Sequence, residues 1–388
     1  MKNNITIAHV LAFAKNTWFW LGIWIFYYLQ FTNYAGIGII ETVLIVTTTL
    51  TEIPTGAVAD LLGKKKTLII AFLLEAIGAY MMAFAPNFQT VAWSVFVMCV
   101  GGAFYSGTLD ALVFDSLKQD GNESKFDKVI SNISSISLFA PAVCSIIGGL
   151  VYGIDPRLPF ILNAIGYSVG FVMSFFLIEP QIDTIKFSFK NYITQTGQGL
   201  KQLFKSHEII WQTVVLLSIG FITVISSEMV DSFVSFEFGF TDKQMGILWS
   251  VIFVISAFAS QSTSYFKKIL GVNRAIVAVG LLMAVTLVIS PYIGLVIGGL
   301  SLILRSSLQS VFGNLASIEI NNNTDSEYRA TTLSTFNMIK NIPYVLTAYF
   351  IGSVSDLISA KVVSLYLGVV LIVLLITSLL GTKRNATI

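Results

Sequence analysis

Among the ionisable residues inside long apolar stretches of this 388-residue chain, seven lie away from the loop ends and draw attention: Glu52, Glu75, Asp110, Glu228, Asp231, Arg305 and Lys340. A charged side chain at the centre of a bilayer costs about 2.5 to 3.5 kcal/mol even on a lenient insertion scale, so such residues face a cavity or a partner. Glu228 and Asp231 are three apart, which on a helix puts both carboxylates on one face, where the pair can hold and release a proton. The competing reading leaves the two in the headgroup region, solvated and idle. Arg305 either attracts an anionic group of a ligand or neutralises Asp110 or another carboxylate, and both readings stand. Glu75 reads as a structural residue bonded inside its own bundle.

Conventional catalytic and metal-binding sets do not assemble from the remaining residues. His9 and His207, like Cys99 and Cys144, are isolated in the sequence, so no nucleophile pair, zinc site or disulfide framework is expected. The absence of a glycine-rich phosphate loop argues against direct use of ATP. The expectation is a protein with no enzymatic activity, no metal and no cofactor. A net charge of +2, with lysines and arginines scattered over short loops, also argues against nucleic acid as a partner. Between Trp18 and Tyr28 the chain carries seven aromatic residues. Trp18 and Trp20 read as interface anchors, whereas Trp24 and Tyr27 lie deeper and offer ring faces to a planar amphipathic ligand.

The elements that must position these residues are membrane-spanning helices. Charged residues form 11% of the chain, against roughly 25% in soluble domains, and apolar residues form 55%. Lipid offers no partner to backbone polar groups, so a span needs about 20 mostly apolar residues in a helix. Twelve such runs are read, at 15–33, 38–60, 67–86, 89–116, 129–153, 158–178, 209–236, 244–266, 274–291, 293–319, 330–354 and 360–381. The first run lacks a small-residue cleavage site and is read as retained. With the N-terminus inside, eighteen lysines and arginines, Lys15 among them, fall in cytoplasmic segments and three fall outside, which sets the orientation and favours an even number of spans. The polar interval after the sixth run divides the chain into a first bundle (1–180), a cytoplasmic linker (181–208) and a second bundle (209–388). Leu200, Leu203 and Phe204 recur in that linker at helical spacing beside Lys201 and Lys205, which reads either as a helix lying on the membrane surface or as a basic tether.

The loop between the second and third runs reads Gly56-Ala57-Val58-Ala59-Asp60-Leu61-Leu62-Gly63-Lys64-Lys65-Lys66. This resembles the signature loop of the major facilitator superfamily closely, with lysine at both basic positions. Gly56 lets a neighbouring helix approach, Gly63 permits a tight reversal, and Asp60 with Lys64 and Lys66 supplies charged contacts between helix ends. Asp115, at the end of the fourth run, is the acid expected to face Lys64. A degraded echo, Phe266 to Arg274, follows at a constant shift of 208 residues, with Gly271 over Gly63 and Arg274 over Lys66. Ala140-Pro141 and Gly148-Gly149 in the fifth run are similar to a motif of drug/proton antiporters, and equally serve to bend that helix and let neighbours pack closely.

The resemblance implies an all-α polytopic membrane protein of 12 transmembrane helices in two pseudo-symmetric six-helix bundles, with spans 1, 4, 7 and 10 around a central cavity. Asp110, Glu228, Asp231, Arg305, Trp24 and Tyr27 are then cavity or proton-coupling candidates. Glu52 and Lys340, on spans 2 and 11, are candidates for a gate pair. The implied activity is alternating-access secondary transport, as proton-coupled efflux of small amphipathic compounds, or else import or exchange of a small anionic metabolite. The expected partners are a small-molecule substrate, protons and the lipid bilayer of the plasma (inner) membrane, with the protein a monomer and both termini cytoplasmic.

Overall fold

The computed structural model describes residues 2–181 and 189–385, except the side chains of residues 2, 52–61, 189–192 and 379–385. The side chains of Glu52, Gly56 and Asp60, and residues 182–188 of the linker, therefore lie outside the described residues. The described chain is helical, without a strand. Among the described residues, eight helices are long and apolar enough to cross a membrane, nine with a pair bent by 115° at Gly271. Eleven of the twelve expected runs are mainly helix, and the first, 15–33, is helical only at Lys15 and Trp24–Tyr28. Span 2 is Tyr34–Leu62, span 3 Lys64–Ala83, span 5 Phe126–Tyr152 and span 6 Leu158–Ser174. Span 9 is Val272–Val288, span 10 Leu295–Asn323, span 11 Arg329–Ile358 and span 12 Ala360–Asn385.

The other four are interrupted. Span 1 is a helix Lys2–Lys15, turns through 16–23, and a short helix Trp24–Tyr28. Span 4 is Phe88–Tyr105 and Thr108–Gln119, separated at the left-handed Gly107. Span 7 runs as His207–Ile225, a π-helical turn Ser226–Val230, and Asp231–Glu237. Span 8 is Asp242–Gln261, followed by Thr263–Leu270. Within the linker, Phe189–Leu203 is helical.

Helix starts are fixed by local capping. Asn87 and Ser206 each accept a backbone N–H three residues on. Carboxylates distant in sequence cap other helices: Glu179 accepts from the amides of Lys64 and Lys65, Asp356 from Tyr34 and Ala35, and Glu237 from Ala360 and Lys361. Each places an anion where unsatisfied N–H groups gather. Gly63 and Gly271 both reverse the chain, with φ/ψ of 89°/154° and 74°/165°. Only glycine adopts that region readily, so the repeat shift read from sequence is also a repeat of backbone conformation.

The chain divides into two compact units. Unit 1 comprises Met1–Thr32, Val43–Phe189 and Thr241–Ser250; unit 2 comprises Asn33–Thr42, Lys190–Phe240 and Val251–Ile388. The first residues of spans 2 and 8 belong to the other unit from the rest of their helices, so neither unit is a continuous stretch of chain. The core of unit 1 gathers Leu11, Leu68, Phe72, Leu112 and Tyr167, and that of unit 2 Leu216, Ile219, Met283, Leu315 and Leu375. Small residues bring helices together: a side chain at Gly170 would strike Phe72, and one at Gly280 would strike Ile219. Trp93, Phe139, Phe258, Leu300 and Phe350 lie exposed, as lipid-facing residues do.

Candidate functional site

Unit 1 holds the break in span 1. Asn16 donates to Ala12 O and Ser137 Oγ, Thr17 donates to Ala14 O, and Asn163 of span 6 donates to the Thr17 carbonyl. Irregular backbone at membrane depth survives only when protein groups satisfy it in this way. Gly148 lies so close that a Cβ there would overlap the Phe19 carbonyl. The Gly148-Gly149 pair thus serves close packing. Lys15, expected in a cytoplasmic segment, instead reaches from the edge of the break to Glu75 of span 3 and lies over the Tyr105 and Tyr167 rings at 5.3 and 5.8 Å. Asn3, Asn4 and His9 lower the hydropathy of the Lys2–Lys15 helix, which precedes the apolar run 15–33.

Two expected cavity residues are packed away. Tyr27 is 2% exposed, donates its hydroxyl to Met82 O at 2.7 Å, and lies 4.2 Å from the Phe160 ring; Trp24 is buried edge-on to Tyr28. The break redirects the segment after it, so the rings fill the interior of unit 1. Trp18 and Trp20 lie within the break, where the Trp18 indole donates to Lys15 O. Asp110 is exposed in the first turn after Gly107 and makes no ion pair among the described residues. At the end that carries Gly63, the Lys64 ammonium meets the Asp115 carboxylate, and Glu179 caps the lysine-bearing helix. Lys66 begins the same helix without an ion pair among the described residues.

Unit 2 separates the two acids that the sequence placed on one face. The π-helical turn Ser226–Val230 shifts the phase of span 7 between them. Asp231 turns inward, accepts from Ser226 Oγ at 2.6 Å, and pairs at 2.8 Å with Arg305, which is 0% exposed. Of the two readings of Arg305, the structure gives neutralisation of a carboxylate, with Asp231 as the partner and not Asp110. Glu228 is exposed, and its electrostatic neighbours are Lys340 and Glu41. Lys340 is near enough to act on Glu228 electrostatically but makes no direct ion pair with it among the described residues, and the Glu52 side chain expected as its gate partner lies outside the described residues.

Glu41 was not singled out in the sequence. It is 6% exposed and accepts from the Tyr344 hydroxyl at 3.0 Å, and among the described residues no lysine or arginine pairs with it. Its signal is an acid inside the apolar run 38–60. Glu41, Glu228, Lys340 and Tyr344 thus form one cluster in unit 2, with two acids to one base.

The two interruptions are equivalent. Under the shift of 208 residues, the π-helical turn 226–230 falls on 18–22, inside the break of span 1. Each repeat departs from the α-helix at the same place, and each departure lies beside buried charge.

A family model described as Major Facilitator Superfamily matches residues 5–348. Over 238 residues the chain is 21% identical to an uncharacterized MFS-type transporter, YxaM, of Bacillus subtilis (strain 168), covering 59% of this chain and 57% of that protein's length. Among solved structures it is similar to the nucleoside transporter NupG, with a TM-score of 0.80 at 16% identity over 98% of this chain and 99% of that one. A bacterial homologue of the iron transporter ferroportin, in its inward-facing state, gives 0.73 at 15% identity over 97% and 98%. At such identities the likeness is one of fold.

Proposed function

The chain belongs to the Major Facilitator Superfamily, and we propose that it is a secondary active transporter that works by alternating access and exports small amphipathic compounds in exchange for protons. The observation that carries the proposal is the cluster of Glu41, Glu228, Lys340 and Tyr344 beside the interrupted span 7. A carboxylate buried against a hydroxyl, with a second acid and one lysine nearby, is stable only when a proton or a cation balances the surplus negative charge. Interrupted helices at repeat-related positions are the usual surroundings of a midplane site. Exposed Asp110 adds a further uncompensated acid on span 4, and together these favour a substrate with a cationic group.

At the Gly63 end, the Lys64–Asp115 pair and the Glu179 cap fasten helices and serve as the latch that alternation releases. The alternative, exchange of a small anion, keeps only Lys340 in its favour, because Arg305 is spent on Asp231.

Reconstituted vesicles decide between the two. Movement of a fluorescent amphipathic cation should follow an imposed pH gradient and be lost in Glu41→Gln and Glu228→Gln. Gradient-independent exchange of a small anion by the parent protein would overturn the proposal.

A further inference from the structure

A groove of about 950 Å³ opens on unit 2 between the first turns of span 7 and span 9, at the end that bears Gly271. Val215, Leu216, Ile276 and Leu281 make its walls apolar, and Leu281, Leu282 and Val285 continue along span 9 as exposed apolar surface. Its charged groups are of both signs, and His207, Gln212 and Asn273 add polar side chains to the lining. Arg274 and Glu208 line it without an ion pair among the described residues. Glu319 of span 10, 7% exposed, also lines it, held only by neutral amides: Asn323 donates at 3.0 Å, and Asn273 does so at 3.0 Å with its amide nitrogen facing the carboxylate.

The groove occupies the position of the second-half echo. Leu270, Asn273 and Arg274 line it, and they stand at the shift of 208 from Leu62, Lys65 and Lys66. In the first half the equivalent helix start is closed by Glu179 and by the Lys64–Asp115 pair. In the second, Lys268 replaces the acid of the loop, and Arg274 is left exposed at the mouth of the groove. The echo has therefore lost the closing contacts and gained an open, amphipathic cavity.

We propose that this groove binds an amino-phospholipid of the surrounding leaflet, with a phosphate at Arg274, a primary ammonium between Glu208 and Glu319, and an acyl chain along the walls from spans 7 and 9. The charge pattern selects the head group. A purely anionic head would leave the buried Glu319 without a cation and bring a further negative charge beside Glu208. A trimethylammonium head brings the charge but no N–H to donate to a buried carboxylate. A phosphate paired with a primary amine satisfies both signs, and the chain supplies apolar burial.

The test is native mass spectrometry of the full chain after reconstitution in vesicles of equal parts phosphatidylethanolamine, phosphatidylcholine and phosphatidylglycerol, followed by extraction in mild detergent. Phosphatidylethanolamine should be retained about tenfold over the other two, since each charge-assisted hydrogen bond lost costs about that factor. Arg274→Gln and Glu319→Gln should each reduce its retention by about tenfold. Ala278→Trp, from a half-buried position in the wall, should remove it by filling the groove, and it decides the matter should Glu319→Gln fail to fold. Equal retention of the three lipids, preference for phosphatidylglycerol, or retention unchanged in Arg274→Gln and Ala278→Trp would each overturn the assignment.

Discussion

Arg305 and Asp231 form a buried pair whose members depend on each other. Neither charge reaches water, and Ser226 Oγ and the Thr286 carbonyl take up part of their remaining hydrogen-bonding capacity. Removing one partner leaves a bare charge in the interior of unit 2, so Arg305→Met should lower stability by about 3–5 kcal/mol, while Arg305→Met with Asp231→Asn should recover most of the loss. Thermal unfolding in detergent reads both. The acids of unit 1 divide differently. Glu75→Gln strands Lys15 and should lower the melting temperature, whereas Asp110→Asn touches no ion pair and should leave melting unchanged while reducing transport. Equal melting of the two variants would contradict the burial of the Lys15–Glu75 pair. These roles were only partly legible in the sequence. Charge inside an apolar run marked the residues, but which ones pair depends on helix phase, and a π-helical turn alters phase without a residue type to announce it.

At the scale of elements, the two reversals at Gly63 and Gly271 allow a direct comparison. Alanine at either must adopt a backbone region that costs about 1–3 kcal/mol. At Gly63 its Cβ would also press on the Glu179 carboxylate at 2.9 Å, whereas at Gly271 nothing lies within 4 Å. Gly63→Ala should therefore destabilise the protein more than Gly271→Ala, by thermal unfolding, and should disturb the cap on span 3. The linker helix makes a second comparison. Asp325, between spans 10 and 11, accepts from Gln202 and lies 3.4 Å from Lys205. The Gln202 amide first, and the Lys205 ammonium next, hold its carboxyl below the ordinary value. The clamp is therefore complete at neutral pH and is lost as pH falls through the carboxylate range. Asp325→Asn should make the Phe189–Leu203 helix more readily cut by protease at pH 7, and an unchanged digest would place its anchorage elsewhere, at Gly199 against Thr335.

Element boundaries were legible where a residue type has a single physical use, as with glycine at a reversal and lysines beyond a helix end. The break at 16–23 was not. Trp18 to Trp24 is apolar, and apolarity measures transfer into lipid, not whether the backbone can keep its hydrogen bonds there. The readable signs were Asn16-Thr17 and Gly22 in mid-run, with a lysine too deep to be a flank.

For the whole molecule, the twelve spans and the charge bias make one statement about orientation. With Cys99 and Cys144 replaced, a cysteine at position 243 should react with an impermeant maleimide added outside intact cells, and one at position 65 only after permeabilisation. The reverse pattern would invert the chain and move every charged loop to the other side. The fold itself was legible from hydropathy, one loop motif and its echo, because a bilayer leaves a chain few options. Cargo was not, because it is set by a handful of side chains whose directions depend on breaks in regular helix.

The interruption of span 1 also bears on how the protein is made. The groups that satisfy its backbone and Lys15 belong to Ser137, Asn163 and Glu75, all of which leave the ribosome later. Until they arrive, the first segment carries an unmatched ammonium and unpaired amides, each costing several kcal/mol in hydrocarbon. The first segment should therefore stay crosslinkable to the insertion machinery until span 6 has been made, and early release of a chain truncated before Asn163 would contradict that expectation.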